Sequence, residues 1–328
     1  LAEKLRTMRM AWCVDGETFG LLINNPNLPG EVKLDLQVIE ADQFATQTPW
    51  QAQALTDGIL FDSYGNPSTY EKLKYHPGDS FSYNFNNSTQ EPAASVIHLF
   101  SCDRPGQVRG VPQIGPALPL FAMKRRFTLA TLAAAETAAD FAAVMKTNSP
   151  AGNEAEALPE DQWFDAIPLE YRAMLTLPNG WDITQLKAEH PTTTYESFNK
   201  AIIEEIARCL SMPFNIAAGN SSGYNYSSGR LDHQTYFTSI GIEQDYIRVK
   251  ALDRLFLAWL EEAALIPNYL PDQLGLLEEM PHQWFWDAIS DIDPVKTAEA
   301  NKIDLATGSK SRARVYAEKG QDVDEEDA

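Results

Sequence analysis

The stretch from Arg104 to Pro116 reads RPGQVRGVPQIGP, and a segment this rich in Pro and Gly sustains neither a helix nor a strand ladder. It divides the chain into two parts whose apolar residues follow different periods. Before it, Val32, Leu34, Leu36 and Val38 alternate with Lys33, Asp35 and Gln37, the pattern of a strand with one buried face. Gly58 to Asp62, the turn-forming run Ser63 to Pro67 and the segment Ser68 to Tyr70 predict a hairpin, and Ser95 to Phe100 a further strand. The opening LAEKLRTMRMAW reads as the middle of a helix, so the native start is expected upstream of Leu1.

After the divide, helices dominate from about Leu118. Ala recurs between Phe127 and Met145, which favours a helix and leaves room for a close neighbour. The run Lys124, Arg125, Arg126 opposes the positive end of a helix dipole, so the helix is expected to begin well before it. A break rich in Pro, Gly and Glu follows from Asn148 to Asp161, then short strands or turns around Trp163, Leu175 and Trp181. Thr193 and Glu196 form a capping box, and Tyr195, Phe198, Ile202, Ile206 and Leu210 line one face of a helix that Pro213 ends. Beyond a Gly/Ser/Asn/Tyr loop, a longer helix is predicted from about Leu231 to Ala264. Its stripe is Tyr236, Ile240, Ile247, Ala251, Leu255 and Trp259. The whole reads as an α+β chain without internal repeats.

Composition narrows the function. With 46 acidic against 26 basic residues and a formal net charge of -20, the chain is a poor candidate for gripping nucleic acid, because phosphate binding needs Lys and Arg to displace counterions. Repulsion of this kind excludes a DNA-gripping protein, not a DNA-passing one. Cys13, Cys102 and Cys209 are far apart and odd in number, which suits a reducing compartment and no metal knuckle. The most hydrophobic long segment, Phe127 to Met145, carries Glu136 and Asp140 and falls short of a spanning helix, so a soluble protein is expected.

Catalytic motifs are weak. Gly219 to Gly223, GNSSG, fits G-x-S-x-G and would make Ser221 a nucleophile, with Asp253 or Asp272 and then His282 as partners. Only Phe214 to Ala218 could supply the strand that the motif requires, and more loop follows where its helix should start. Gly308 to Ser311 does not complete a phosphate-binding loop. His76, His98, His190, His233 and His282 show no metal-ligand spacing and read as surface or strand-packing residues. Trp259, Trp284 and Trp286 read as core or interface anchors.

Four segments, in order, resemble one family. They are VDGETF from Val14; VIHLFSCDRPGQVRGVP from Val96 to Pro112; the loop AAGNSSGYNYSSGR from Ala217 to Arg230; and DPVKTAEANKIDLATGSKSRARVYAEKGQDVDEE from Asp293. Together they are similar to the lambda-type portal (head-tail connector) proteins of tailed bacteriophages. Asn220 stands where relatives commonly carry Asp, Gly229 where a small Ala is usual, and the early part of the family's wing is missing.

The resemblance implies a phage portal fold with a β-rich wing over 1–116, a first stem helix over 117–147 and a clip over 148–191. A second stem helix would span 192–212, a tunnel loop 213–230, a long channel-supporting helix 231–265, and a C-terminal wing or crown region with an acidic tail 266–328. It implies a dodecameric ring at one capsid vertex of the virion, assembled in the host cytoplasm, through which double-stranded DNA is packaged and later ejected. Its implied partners are the terminase large subunit, the capsid shell protein and a head-completion or tail adaptor protein; no enzyme activity, cofactor, metal or membrane is implied. Asn220, Ser221, Ser222, Tyr224, Asn225, Tyr226, Ser227, Ser228 and Arg230 would face the DNA channel. Arg104, Arg109, Lys124, Arg125 and Arg126 would meet acids of the next subunit. The competing readings are a serine hydrolase using Ser221, or another structural capsid component.

Overall fold

A computed structural model of the protein describes residues 1–46, 55–78, 88–140, 144–147, 181–184, 192–271, 275–286 and 293–323. The chain forms two compact units: Leu1–Val111 together with Ile240–Ala328, and Pro112–Ser239.

The first unit opens with helix α1 (Ala2–Asp15), as its composition predicts, and buries Met8 and Trp12. Gly16 stops the helix. Its φ of 92° is the left-handed conformation that favours glycine, and its N–H returns to Trp12 O at 3.1 Å. Strand β1 (Glu17–Asn24) follows at once and forms the centre of an antiparallel sheet between β2 (Leu34–Ile39) and β7 (Val96–Phe100). A second antiparallel sheet contains β3 (Leu55–Thr56), β4 (Ile59–Phe61), β5 (Pro67–Leu73) and β6 (Ser88–Pro92). The predicted hairpin is β4–β5, closed by Asp62, whose carboxylate accepts from the N–H groups of Tyr64 and Asn66.

Alternation along the strands sorts side chains into two cores. Phe19, Leu21, Ile39 and Val96 pack with Phe44 and with Ile59 and Tyr70 of the second sheet. Leu36, Ile97 and Leu99 face the other way, onto Met8, Ala251 and Leu255. Val96 and Ile97 are neighbours that serve opposite faces, the direct consequence of a two-residue period.

The second unit is mainly helical. Helix α2 (Leu118–Asp140) begins before the basic run, as expected. It ends earlier than predicted: Val144–Thr147 form β8, antiparallel to β9 (Trp181–Thr184), so the helix expected over 117–147 does not reach 147. β-branched Val144 and Thr147 suit a ladder better than the Ala-rich run before them. Trp181 lies in a strand as predicted, whereas Trp163 and Leu175 lie outside the described residues.

Helix α3 (Thr192–Arg208) starts one residue before the predicted cap, Thr193. Phe127 of α2 packs on its predicted stripe, with ring centroids 5.6 Å from Tyr195 and 4.2 Å from Phe198. The helix stops ahead of Pro213: Ser211 takes a φ of 52° and Met212 N–H returns to Ala207 O at 3.0 Å.

Helix α5 (Tyr226–Ile247) starts earlier than the predicted Leu231. A π-helical turn, Arg248–Leu252, separates it from α6 (Asp253–Ala264). The extra residue in that turn rotates the apolar stripe, so Leu252 and Leu260 are buried beside the predicted Ala251 and Leu255. Helix α7 (Pro294–Thr307) is capped by the Asp293 carboxylate and stopped by Gly308, and Ser311 caps α8 (Arg312–Ala317). Among the described residues, no helix is long and apolar enough to cross a membrane.

Candidate functional site

Two of the four family-like segments meet inside the first unit. Glu17, the first residue of β1, has a side chain only 6% exposed. Its carboxylate accepts from His98 Nε2 at 2.9 Å, Gly110 N at 2.8 Å and Arg109 Nε at 2.7 Å, and pairs with Arg109 Nη2. Arg109 also donates to the carbonyls of Phe44 (2.8 Å), Asp57 (2.6 Å) and Ala41 (3.1 Å), and lies over the Phe19 ring at 5.4 Å. These four hydrogen bonds engage all three guanidinium nitrogens. Gly110 is required by the closeness of the two segments: a Cβ there would lie 2.0 Å from Gly16 O and 2.7 Å from Glu17 Cβ.

Charge states follow from this geometry. Burial alone would push the Glu17 carboxyl up. The hydrogen bonds from His98, Arg109 and Gly110 outweigh it and hold the group at about 2. For His98 burial dominates and lowers its pKa, with Glu17 only partly offsetting it. A neutral imidazole donates Nε2–H to the carboxylate and turns the Nδ1 lone pair toward the Tyr70 hydroxyl at 3.5 Å. The ring is stacked between Phe19 and Phe100, at 4.2 and 4.4 Å. Burial also pushes the Tyr70 phenol up, to about 12. The cluster is a closed, satisfied network suited to holding strands and loop together. It offers no free base or open face for chemistry.

Arg109, expected to meet acids of the next subunit, bonds within its own chain to Glu17 and to the carbonyls of Phe44, Asp57 and Ala41. Arg104, from the same loop, is exposed. Sequence reasoning missed Glu17 and His98 as a pair, although both lie in segments it had singled out. The available signal was a lone His between Ile97 and Leu99, and a Glu at the start of a buried strand.

In the second unit the expected tunnel loop is shorter than 213–230. Phe214–Ala218 form a short helix, α4, and Tyr226 to Arg230 already belong to α5. The Asn225 carboxamide accepts from Ser228 N at 2.9 Å while Ser228 Oγ accepts from Asn225 N at 3.2 Å, a reciprocal cap. The segment NYSSGR is therefore a helix start. The remaining loop, Gly219 to Asn225, turns through Asn220, whose Oδ1 accepts from Ser222 N at 2.9 Å. Asn220, Ser221, Ser222, Asn225, Tyr226, Ser227, Ser228 and Arg230 are all exposed. Tyr224 is half-buried and lines a cavity of about 390 Å³ with Glu204, Arg208, Phe214 and Asp232. Beneath the loop, buried Asn215 meets His233 Nε2 at 3.0 Å. On α2, Lys124 is half-buried and Arg125 and Arg126 are exposed.

The arrangement around Ser221 lacks the nucleophile elbow, since a helix occupies the place of its strand. His282 does pair with Asp253, at 3.1 Å, but its other nitrogen meets Met280 O at 3.0 Å. These bonds, Met280 first, raise its pKa. Asp253 also accepts from Trp284 Nε1 and Arg248, and so serves as a structural hub. No cluster of metal-ligating side chains occurs among the described residues.

The sequence pattern of the family described as phage portal protein, lambda family, matches residues 2–244. The chain is 26% identical to the "Probable portal protein" of Halomonas phage phiHAP-1 over 95% of its own length, and spans 61% of that relative. Among solved structures it is similar to a chain in the neck of an empty gene transfer agent particle, at 15% identity and a TM-score of 0.48 over 98% of this chain and 78% of that one. A chain in the neck of the native particle gives 14% identity and a TM-score of 0.47, over 98% and 80%. A chain in the virion of the native particle gives 14% and 0.43, over 93% and 76%.

Proposed function

The chain belongs to the lambda family of phage portal proteins, and from that premise we propose that it is one subunit of a dodecameric ring that passes double-stranded DNA at a capsid vertex. The match over residues 2–244 carries this reading. The relative's description as a portal protein supports it. In this reading the protein resides in the virion after assembly in the host cytoplasm. The terminase large subunit docks on the clip and supplies the work of packaging, and the shell protein and a tail adaptor hold the ring's outer surfaces.

The chemistry of the exposed loop suits passage rather than capture. Asn220, Ser221, Ser222, Asn225, Ser227 and Ser228 are neutral and polar, and bond mainly to their own neighbours. Such groups touch a phosphate weakly and exchange quickly, whereas each Lys or Arg on a channel wall would add binding. A chain of net charge -20 reinforces this by repelling the backbone within a Debye length. Arg104, Lys124, Arg125 and Arg126 are proposed to meet carboxylates of the next subunit, which supplies closed cyclic contacts.

Mass measurement and class averaging of the purified protein test the ring. A closed ring with a central hole wide enough for B-form DNA is expected, and a stable monomer would refute it. Packaging assays with S221K and S222K test the loop. Slower DNA passage is expected, and unchanged rates would remove the low-friction role while leaving the ring intact.

A further inference from the structure

The loop that follows β7 is an exposed surface element held rigid from beneath. Gln107 N–H returns to Arg104 O at 3.2 Å across Pro105 and Gly106, the latter at a φ of 77°. Pro in the second position and a left-handed Gly in the third are the requirements of a type II turn. Underneath, the Gln107 carboxamide donates to Ser101 O at 3.1 Å and Arg109 O at 2.9 Å, and accepts from Asp103 N at 3.0 Å. Cys102 Sγ donates to Arg104 O at 3.2 Å. The far end is fixed by Arg109 and Gly110 on the buried Glu17 carboxylate. The tip of this braced loop is Arg104, exposed and without a carboxylate partner among the described residues.

We infer that this loop is a preordered recognition element, in which Glu17, Gln107 and Arg109 position Arg104 to bind a carboxylate on a second copy of this chain. The inference rests on the ring reading above and adds to the proposed role of Arg104 what holds its loop ready. A loop whose backbone is already ordered loses less conformational entropy when it binds. The partner's chemistry follows from charge: 46 acidic against 26 basic residues make a copy of this chain an acidic surface. A nucleic acid fits less well, because phosphate binding relies on clustered cations and Arg104 is flanked by exposed Asp103 with Arg109 consumed inside.

Cys102, exposed two residues before Arg104, reports on this directly. The full chain is separated into assembled and monomeric fractions, each is treated with N-ethylmaleimide, and labelling is read by peptide mass spectrometry. Labelling of Cys102 about ten-fold slower in the assembled fraction is expected, with R104E lowering assembly about ten-fold or more and R104K retaining most of it, the scale of a lost interfacial charge pair. The Q107A variant, with its Arg intact, is expected to stay folded and to need several-fold more protein to assemble. Assembly of R104E at the wild-type level, or equal Cys102 labelling in both fractions, overturns the inference and leaves the ring standing. If R104E assembles normally but loses DNA retention, the partner is nucleic acid and the inference is wrong. A wild-type chain that never assembles removes the ring reading and this inference together.

Discussion

The Glu17 network of the β-rich unit and the exposed loop of the helical unit use polar residues in opposite ways. In the first, Glu17 reaches His98, Arg109 and Gly110 across 81, 92 and 93 residues of sequence, and the Glu17 and His98 side chains are shielded from water. In the second, Asn220, Asn225 and Ser228 bond partners two or three residues away and stay exposed. A buried network cannot fall back on water when one member is lost, and an exposed turn can. The same residue chemistry is therefore structural in one unit and replaceable in the other.

The contrast breaks most visibly at Arg109. R109M leaves the Glu17 carboxylate buried without its charge partner, a loss on the order of 3–5 kcal/mol. Chemical denaturation followed by hydrogen exchange in β1 and β7 measures it, and a loss under about 1 kcal/mol would mean that the network is not what holds the sheet. G110A forces a Cβ into Gly16 O and belongs to the same class of effect.

Acid sharpens the comparison next. Glu17 has a folded pKa of about 2 against the ordinary 4.5, so its stabilisation is full above 4.5 and is lost as pH falls toward 2. That interval corresponds to about 3 kcal/mol. His98 acts in the same direction from higher pH. Its pKa is lowered in the fold, so stability begins to fall as pH drops below 6.5. Denaturation midpoints between pH 7 and pH 3 should decline for the first unit, with E17Q flattening the lower part of the curve.

Smaller effects belong to the helical unit. N225A removes the cap of α5 and should cost about 1 kcal/mol, read as faster amide exchange confined to Tyr226 through Gly229. S222A should change stability by less than about 0.5 kcal/mol, since the Ser222 N–H keeps its bond to Asn220. A loss at S222A comparable to that of R109M would erase the distinction between the units.

Much of the fold was legible in sequence. The alternation at Leu34 to Val38, the hairpin from Gly58 to Tyr70 and the strand at Ser95 to Phe100 all lie where their period and turn residues put them. Boundaries fared worse where two signals competed. The Ala-rich run suggested a helix through Met145, and a strand takes over at Val144. The Gly/Ser/Asn run through Arg230 read as a loop, yet Asn225 and Ser228 cap a helix that begins inside it. Small polar residues suit caps and loops equally, and only the following turn separates the two.

By itself, the sequence determined the local stops and starts: Gly16 and Gly308 at left-handed φ, Asp293 and Pro294 at a helix start, and the two-residue period of the strands. These depend on residues within a few positions of each other, so they can be read without a fold. Tertiary structure alone decided that Arg109 bonds back onto its own chain while Arg104 stays exposed, although they lie in one short loop. It also decided that Glu17 is a buried anion beside a neutral His98. Burial and partner choice for a charge depend on groups brought together from distant segments, and no local pattern encodes which of two arginines the strand pairing will enclose.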